Sequence, residues 1–274
     1  MIGYVAIAAL VTVGCSNRNQ TQPESAFLLR FNEGAVYTYR VRTRTDSAST
    51  GLNDEIFAEE DDPMTVVMEL RIHDVNERDQ TAIVASRIVN QEGAPPEVAR
   101  LMPIGLDINI EMTTAGVIVD ASDVESYVRA QIPFIASETE MPTEIVDVIV
   151  EETVSQLGGP FGSAPSYLGP TARTVGDRWS TEVGSGPSRE TTEWVFTRQS
   201  ETVKRLDFVS TGQTTMRPGV EDDSFTIRTE TEGFYLLDAA DTWPRRIRYV
   251  EDSTTSAEGF ELTVSTEVDI ERIR

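Results

Sequence analysis

Few residue types in this chain could support catalysis. His73 is the only histidine, so a hydrolytic triad that needs an imidazole would have to use it. It stands beside Asp74 on the polar side of a strand pattern, which favours a solvent-exposed position. The chain contains no HExxH, CxxC, P-loop or GxSxG motif. We therefore expect neither zinc chemistry nor nucleophilic hydrolysis, and no enzymatic activity.

Carboxylates are abundant, with 46 acidic against 23 basic residues and a net charge of −23. The acidic runs at Glu59–Asp62 and Glu221–Asp223 offer oxygen ligands, but they lack the alternating spacing and the glycine of a calcium loop. We interpret both as solvated loops and expect no metal and no cofactor. A glycosidase pair stays open, because its two carboxylates can be distant in sequence. Nucleic acid is excluded as a partner by the charge.

The one cysteine, Cys15, ends an apolar stretch at the start of the chain. Residues 2–14 are uncharged and mostly apolar. This stretch is shorter than the roughly 20 residues of a membrane-spanning helix, but it has the length of the apolar part of an export signal. The alternative is an uncleaved apolar N-terminus with a buried thiol.

The residues Thr12-Val13-Gly14-Cys15 resemble the lipobox of bacterial lipoproteins. The resemblance implies that residues 1–14 are a cleaved signal peptide and that Cys15 carries diacylglycerol and an acylated (palmitoylated) amino terminus, which anchors the chain to a membrane. Two departures are Thr12, where leucine is usual, and the lack of a basic residue before Arg18. Ser16 after the cysteine implies sorting to the outer membrane, facing the periplasm or the cell surface.

From Phe27 onward, apolar residues recur at every second position, which is typical of half-buried strands. Tyr37, Tyr39 and Val41 share one face of the first pattern. Two later patterns have the apolar faces Val66, Met68, Leu70, Ile72 and Phe260, Leu262, Val264, Val268, Ile270. The polar residues 15–26 are predicted to be a flexible tether, and residues 27–274 a β-rich domain.

A helical insert is predicted at about residues 122–157. Ser122 followed by Glu125 is a capping-box pattern, and the helix that begins there is expected to end at Pro133. Pro142 would begin a second helix that carries an apolar stripe.

The β-rich parts before and after the insert resemble each other. Gly34-Ala35-Val36-Tyr37 matches Gly176-Asp177-Arg178-Trp179 in the spacing of glycine and aromatic residue. Thr114-Ala115-Gly116 matches Thr231-Glu232-Gly233 in the same order. The two matches together indicate an ancient duplication.

These patterns predict an α+β fold that is mainly antiparallel β. The predicted repeats are residues 27–121 and 172–274, joined by a helical segment at 122–171. We expect either two curved sheets or one large half-barrel.

The motifs Leu29-Arg30-Phe31, Tyr37-Thr38-Tyr39 and Gly176–Trp179 resemble uncharacterised families of bacterial lipoproteins. The layout is also similar to the lipoprotein-carrier domains of the LolA and LolB type. That resemblance implies a curved sheet that half-encloses an apolar groove covered by helices. The resemblance assigns no catalytic residue to this sequence.

The function expected from these features is that of a non-enzymatic cell-envelope lipoprotein. It would bind an apolar or lipidated ligand between sheet and helices, and a cavity lined by Tyr37, Tyr39, Phe260, Leu262 and Val264 would favour this hypothesis. The alternative is a structural lipoprotein, or one that binds an envelope protein partner, with that space filled by side chains. An envelope hydrolase ranks third.

Three arginines, Arg40, Arg42 and Arg44, form a basic row on the polar face of the first strand pattern. They could contact an anion or a lipid headgroup. We favour a structural interpretation, in which they lie across from the acidic row Glu267, Asp269 and Glu271 on a neighbouring strand.

Overall fold

Antiparallel β-structure dominates the chain. The computed structural model describes residues 25–50, 56–60, 62–94, 96–101, 103–135, 146, 149–150, 153–154, 169–183, 188–216, 225–257 and 260–274. Cys15, the predicted signal peptide and most of the predicted tether lie outside the described residues. Their roles stay predictions.

The described elements are fourteen strands and two helices. The strands are β1 (Ser25–Phe27), β2 (Val36–Thr50), β3 (Ile56–Glu60), β4 (Met64–Asn76), β5 (Thr81–Glu92), β6 (Asp107–Thr113), β7 (Ile118–Asp120), β8 (Gly169–Arg173), β9 (Arg178–Val183), β10 (Ser188–Gln199), β11 (Val203–Met216), β12 (Phe225–Asp238), β13 (Pro244–Ala257) and β14 (Phe260–Arg272). The helices are α1 (Pro96–Leu101) and α2 (Ser122–Ile135).

Twelve of the strands form one large curved sheet that does not close on itself. The strand order is β7-β6-β5-β4-β2-β14-β13-β12-β11-β10-β9, and β3 pairs with the far half of β2. β1 and β8 form a separate pair. The predicted mainly antiparallel, curved architecture is confirmed, and it takes the form of a single sheet.

The alternation in the sequence matches the alternation of burial along the strands. On β4, Val66, Met68, Leu70 and Ile72 are buried, whereas His73 is exposed as predicted. Because successive side chains point to opposite faces, the buried positions of the long strands collect on the concave face. They form one core that runs from β6 to β10.

The helical insert is described in part. α2 begins at Ser122, with Asp123 and Glu125 in its first turn, and it extends to Ile135. The predicted end at Pro133 is therefore two residues too early. A proline in the last turn removes a single N–H donor, and it leaves the two residues after it free to keep helical dihedral angles.

Beyond α2, five described residues are helical: Val146, Ile149, Val150, Thr153 and Val154. They fall where the second helix of the insert is predicted. The rest of that segment lies outside the described residues.

The two predicted repeats begin with the same turn. Gly34 and Gly176 both have positive φ, 78° and 101°. The N–H of Gly34 donates to the carbonyl of Ile72, and that of Gly176 donates to the carbonyl of Phe196, at 2.9 and 2.7 Å. The N–H of Ile72 and of Phe196 each donate back to the residue after the glycine, at 3.0 Å.

The second sequence match between the repeats is wrong as a structural correspondence. Gly116 lies in the turn between β6 and β7 with φ of 71°, whereas Gly233 lies inside β12. A glycine can serve either a turn or a close approach of two strands, and the local sequence does not distinguish the two uses. The duplication itself stays a prediction.

The basic row is structural in the described part of the chain. β2 and β14 pair in the register that places Arg40, Arg42 and Arg44 opposite Glu271, Asp269 and Glu267. Arg40 lies 3.8 Å from Glu271. The other two carboxylates bind arginines from β13: Arg246 donates to Asp269 at 2.7 Å, and Arg248 to Glu267 at 2.5 Å. These charges form a ladder on the solvent face of the sheet.

Candidate functional site: a pocket at the closed end of the sheet

The N-terminal segment, residues 25–32, crosses one end of the concave face. Phe27 contacts Trp179 on β9 and Phe196 on β10, with ring centroids 5.9 and 5.2 Å apart. Two residues later, the N–H of Leu29 donates to the carbonyl of Thr114, which follows β6. The segment thus joins strands near opposite edges of the open sheet. We call the end that it covers the closed end, and the opposite end of the strands the open end.

Aromatic side chains fill the core behind this segment. Trp243 is fully buried, stacks on Tyr37 at 4.2 Å between ring centroids, and donates its Nε1–H to the carbonyl of Arg30 at 3.1 Å. The hydroxyl of Tyr39 donates to the carbonyl of Pro244 at 3.0 Å. Burial raises the pKa of both tyrosines well above the ordinary value. These hydroxyls therefore stay protonated and act as donors.

The cavity expected from the sequence is not formed by the five residues named for it. Tyr37 and Tyr39 belong to the packed core at the closed end, whereas Phe260 is 43% exposed at the open end of β14. Leu262 and Val264 lie between, and both are half-buried. A strand rises about 3.3 Å per residue, so β14 extends from the core to solvent and cannot place its whole apolar face in one cavity.

At the open end, the same concave face carries hydroxyl groups. The alternation that buries Tyr39 continues with Thr43 and Thr45 on β2, which are half-buried. The hydroxyl of Thr45 lies 3.5 Å from that of Thr266 on β14. Between the two ends, Thr192 and Ser210 have hydroxyls 2.9 Å apart.

A pocket of about 940 Å³ opens beside the N-terminal segment. Three turns of the sheet complete it: those between β4 and β5, between β10 and β11, and between β12 and β13. Its apolar walls include Leu28, Phe31 and Val75. We call it the end pocket.

Lys204 is the most unusual group in the end pocket. It is the one lysine of the chain, and it alternates with the buried residues Leu206 and Phe208 on the concave face of β11. The residue is only 7% exposed. Its Nζ lies 5.7 Å from the centroid of the Phe27 ring, and among the described residues it has no hydrogen-bond acceptor or ion-pair partner.

The pKa of Lys204 lies below the ordinary value for lysine. Burial is the main cause, the positive charge of Arg30 adds to it, and the negative charge of Asp238 opposes it. A lysine whose ammonium is this poorly compensated costs folding free energy.

Backbone strain is found in the same pocket. Within the described ranges, the two non-glycine residues with positive φ are Gln80 at 55° and Thr242 at 66°. Both line the end pocket. Each such conformation costs about 1–3 kcal/mol, and strain of this kind concentrates at ligand sites. The pocket therefore combines a lysine that has no ion pair in the described residues with two strained wall residues.

An ionic cluster is centred on Asp238, which directly precedes the pocket residue Ala239. Asp238 accepts hydrogen bonds from Arg245 at 2.8 and 2.9 Å and from Arg272 at 2.8 Å. Burial alone would raise the pKa of Asp238, but hydrogen bonds from the Ala240 N–H and from these two guanidinium groups outweigh it, and the pKa is lowered. Asp241 accepts from the Tyr37 hydroxyl at 3.2 Å.

The sequence analysis did not identify Lys204, Gln80 or Thr242. A usable signal for Lys204 existed: the only lysine of the chain occupies an apolar position in the alternation with Leu206 and Phe208. The positive φ values had no such signal, because glutamine and threonine rarely adopt them.

No metal centre is formed by the part of the chain that the structure describes, where no group of three or more His, Cys, Asp or Glu side chains could hold an ion. The acidic run at Glu221–Asp223 lies outside the described residues, as does Asp61 of the other run. None of the described helices has the length and apolarity that crossing a membrane requires.

Comparisons with known proteins assign the chain to no family. No protein-family model matches the chain, and no curated protein matches its sequence. A solved structure described as showing lipid-protein interactions in lipovitellin is similar over 89% of this chain and 26% of its own, with 10% identity and a TM-score of 0.42. The chain thus spans about a quarter of that protein.

A second solved structure, Ail, the attachment invasion locus protein of Yersinia pestis, is similar over 88% of this chain and 99% of its own. The identity is 7% and the TM-score 0.20. Similarities at these levels carry no argument about function.

Proposed function

We propose that this protein is a non-enzymatic lipoprotein of the cell envelope that binds an apolar or lipidated ligand in the end pocket. The observation that supports this most directly is the end pocket itself, where a lysine with no ion pair in the described residues lies beside apolar side chains. Its volume of about 940 Å³ falls in the range of small-molecule sites.

The proposed ligand site does not lie between sheet and helices, where the sequence had led us to expect it. Val124 and Val128 of α2 are fully buried against the core, so the described part of that interface is filled. The end pocket instead offers Leu28, Phe31 and Val75 as partly exposed apolar walls.

The position of the proposed anchor agrees with this site. Cys15 precedes Ser25, the first described residue, by only ten positions. An extended tether of that length spans at most about 36 Å. Because Ala26 and Leu28 line the end pocket, a lipid on Cys15 would keep the pocket close to the membrane, and a ligand could enter from the bilayer.

Lipid identification on the purified protein tests the binding function. The full chain is isolated from its own host, and bound lipids are counted by native mass spectrometry and identified after extraction. We expect a stoichiometric lipid on the wild type and lower occupancy in Leu28→Trp, which narrows the pocket. Leu262→Trp at the open end is the matched control and should keep the lipid. An empty protein that takes up no added fatty acid or phospholipid would overturn the binding function.

The anchor has a separate test. Cys15→Ser should move the protein from the membrane fraction to the aqueous fraction and remove metabolically incorporated palmitate. A variant that stays in the membrane would contradict lipidation at Cys15.

A second candidate function, that of a structural or partner-binding lipoprotein, is favoured by the packing of the closed end. Tyr39 and Trp243 are fully buried there, so most of the concave core is filled by the protein itself. Under this function the isolated wild type carries no lipid besides the acyl chains proposed on Cys15, and cross-linking in the host captures an envelope protein.

A further inference from the structure

Two cations face the end pocket without an acidic partner. Lys204 is buried, and Arg30 lies close enough for its charge to lower the pKa of the lysine. Arg30 has no ion pair to a carboxylate in the described ranges. In a chain of net charge −23, a pocket with two such cations is an exception to the overall charge.

The nearest carboxylate cannot serve as the counter-ion of Lys204. Asp238 is the acidic group that acts on the lysine, but its carboxylate is held by Arg245 and Arg272. The other acidic residues of the pocket, Glu77 and Glu201, are exposed side chains. Burial disfavours the charged form of Lys204, so an anion that enters the pocket would supply the ion pair that the described residues do not provide.

Apolar side chains line one part of the pocket around the two cations, and polar side chains line the rest. The ammonium of Lys204 lies 5.7 Å from the centroid of the Phe27 ring, and Leu28, Phe31 and Val75 are among the apolar side chains that line the pocket. A ligand that matches this surface has a charged oxygen head and a hydrocarbon chain.

We infer that the end pocket recognises the oxyanion at the head of an amphipathic ligand, a carboxylate or a phosphate on an alkyl chain. Lys204 is the buried ion-pair partner of that head, and Arg30 is the second cation at the exposed side. This inference rests on the proposed binding function and adds the chemical class of the ligand.

The test compares ligands that differ only in the head. The full chain is titrated with dodecanoate, dodecyl phosphate and dodecanol, and occupancy is read by native mass spectrometry. Acetate and inorganic phosphate test the head without the chain. We expect the two charged amphiphiles to bind at least about tenfold more tightly than dodecanol, since hydrogen bonds to charged groups contribute about that much.

Substitution of the lysine should remove this preference. Lys204→Met keeps the length of the side chain, and we expect about tenfold weaker binding of dodecanoate with unchanged binding of dodecanol. Arg205→Met is the matched control, because it removes a neighbouring cation that pairs with Asp207 on the other face of β11. It should retain the preference. Lys204→Arg keeps the charge and should retain the preference in part.

Each contrary result has a defined meaning. Equal binding of dodecanoate and dodecanol, unaffected by Lys204→Met, would overturn the inference and leave the binding function standing. Failure of all three dodecyl ligands to bind would overturn both. Inorganic phosphate that binds as tightly as dodecyl phosphate would show a site for a free anion and overturn the amphipathic ligand.

Discussion

The two ends of the curved sheet use the same strands for different purposes. At the closed end, the concave face carries aromatic and aliphatic side chains, with Trp243, Tyr39 and Phe27 buried among them. At the open end, the equivalent positions of β2 carry threonine, such as Thr43 and Thr45, whereas those of β14 stay mostly apolar. Along β2 the period of two continues toward the open end, while the chemistry of its inward face changes.

This difference shows that burial here depends on what covers the sheet. The closed end is dry because the N-terminal segment and the residues around Trp243 close it. Stability is therefore expected to concentrate at the closed end. The substitutions below compare the two ends, from the largest expected effect to the smallest.

Truncation of a large aromatic side chain should lower the stability of the protein strongly at the closed end and only slightly at the open end. Trp243→Ala removes a fully buried ring and its hydrogen bond to Arg30, and we expect a loss of about 3–5 kcal/mol in the free energy of unfolding. Phe260→Ala at the open end removes a ring that is 43% exposed and should cost less than about 1 kcal/mol. Urea denaturation measures both, and similar losses would contradict a closed end that dominates stability.

Two glycines on neighbouring strands give a second comparison. A Cβ on Gly233 would overlap the carbonyl oxygen of Arg248 and lie 2.6 Å from the Cβ of Tyr249. Gly233→Ala should cost about 3 kcal/mol. On Gly212, the nearest atom is the Cβ of Thr229 at 3.6 Å, so Gly212→Ala should stay within about 0.5 kcal/mol. Equal melting temperatures for the two variants would refute the close approach of β12 and β13 at Gly233.

The ionic cluster at the closed end predicts a pH dependence. Because the folded state lowers the pKa of Asp238, this carboxylate stabilises the fold above the unfolded value of about 4. That stabilisation is lost as the pH falls through the lowered pKa. Asp238→Asn should cost about 2 kcal/mol at neutral pH and flatten the acid limb of a stability profile. Asp74→Asn, at an exposed side chain, is the control and should leave the acid limb unchanged.

Substitutions that remove a serine hydroxyl should give the smallest differences in stability. Ser86 is buried on β5 with no partner for its Oγ in the described structure, so Ser86→Ala should stabilise the protein by about 1 kcal/mol. Ser210 donates to Glu190 at 2.6 Å, and Ser210→Ala should destabilise by about 1–2 kcal/mol. Thermal unfolding resolves the opposite signs, and a loss of stability in Ser86→Ala would show that its hydroxyl is satisfied.

The sequence was most informative where the inward residues are apolar. The strong alternation of β4 and β14 predicted those strands, and the opposed charges of β2 and β14 predicted their contact. The strands β11 to β13 were not predicted individually. Part of the reason is that threonines such as Thr229 and Thr231 occupy inward positions of β12, which removes the hydrophobic period.

The end pocket could not be predicted from the sequence, for a different reason. It is built from the N-terminal segment and three turns that are far apart in the chain. Its two strained residues, Gln80 and Thr242, hold conformations that tertiary contacts impose and that local propensity disfavours. The apolar setting of Lys204 could be read from its strand, but the space beside it could not.

The pairing of β2 with β14 has a consequence for how the protein folds. These strands come from near opposite ends of the described chain, and they meet at the centre of the sheet, with Tyr39 opposite Arg272. Such a contact has a high loop-closure entropy and is expected to form late and slowly. The central seam cannot form until β14 has been synthesised. Until then, the strands on the two sides of the seam lack the pairing that joins them into one sheet.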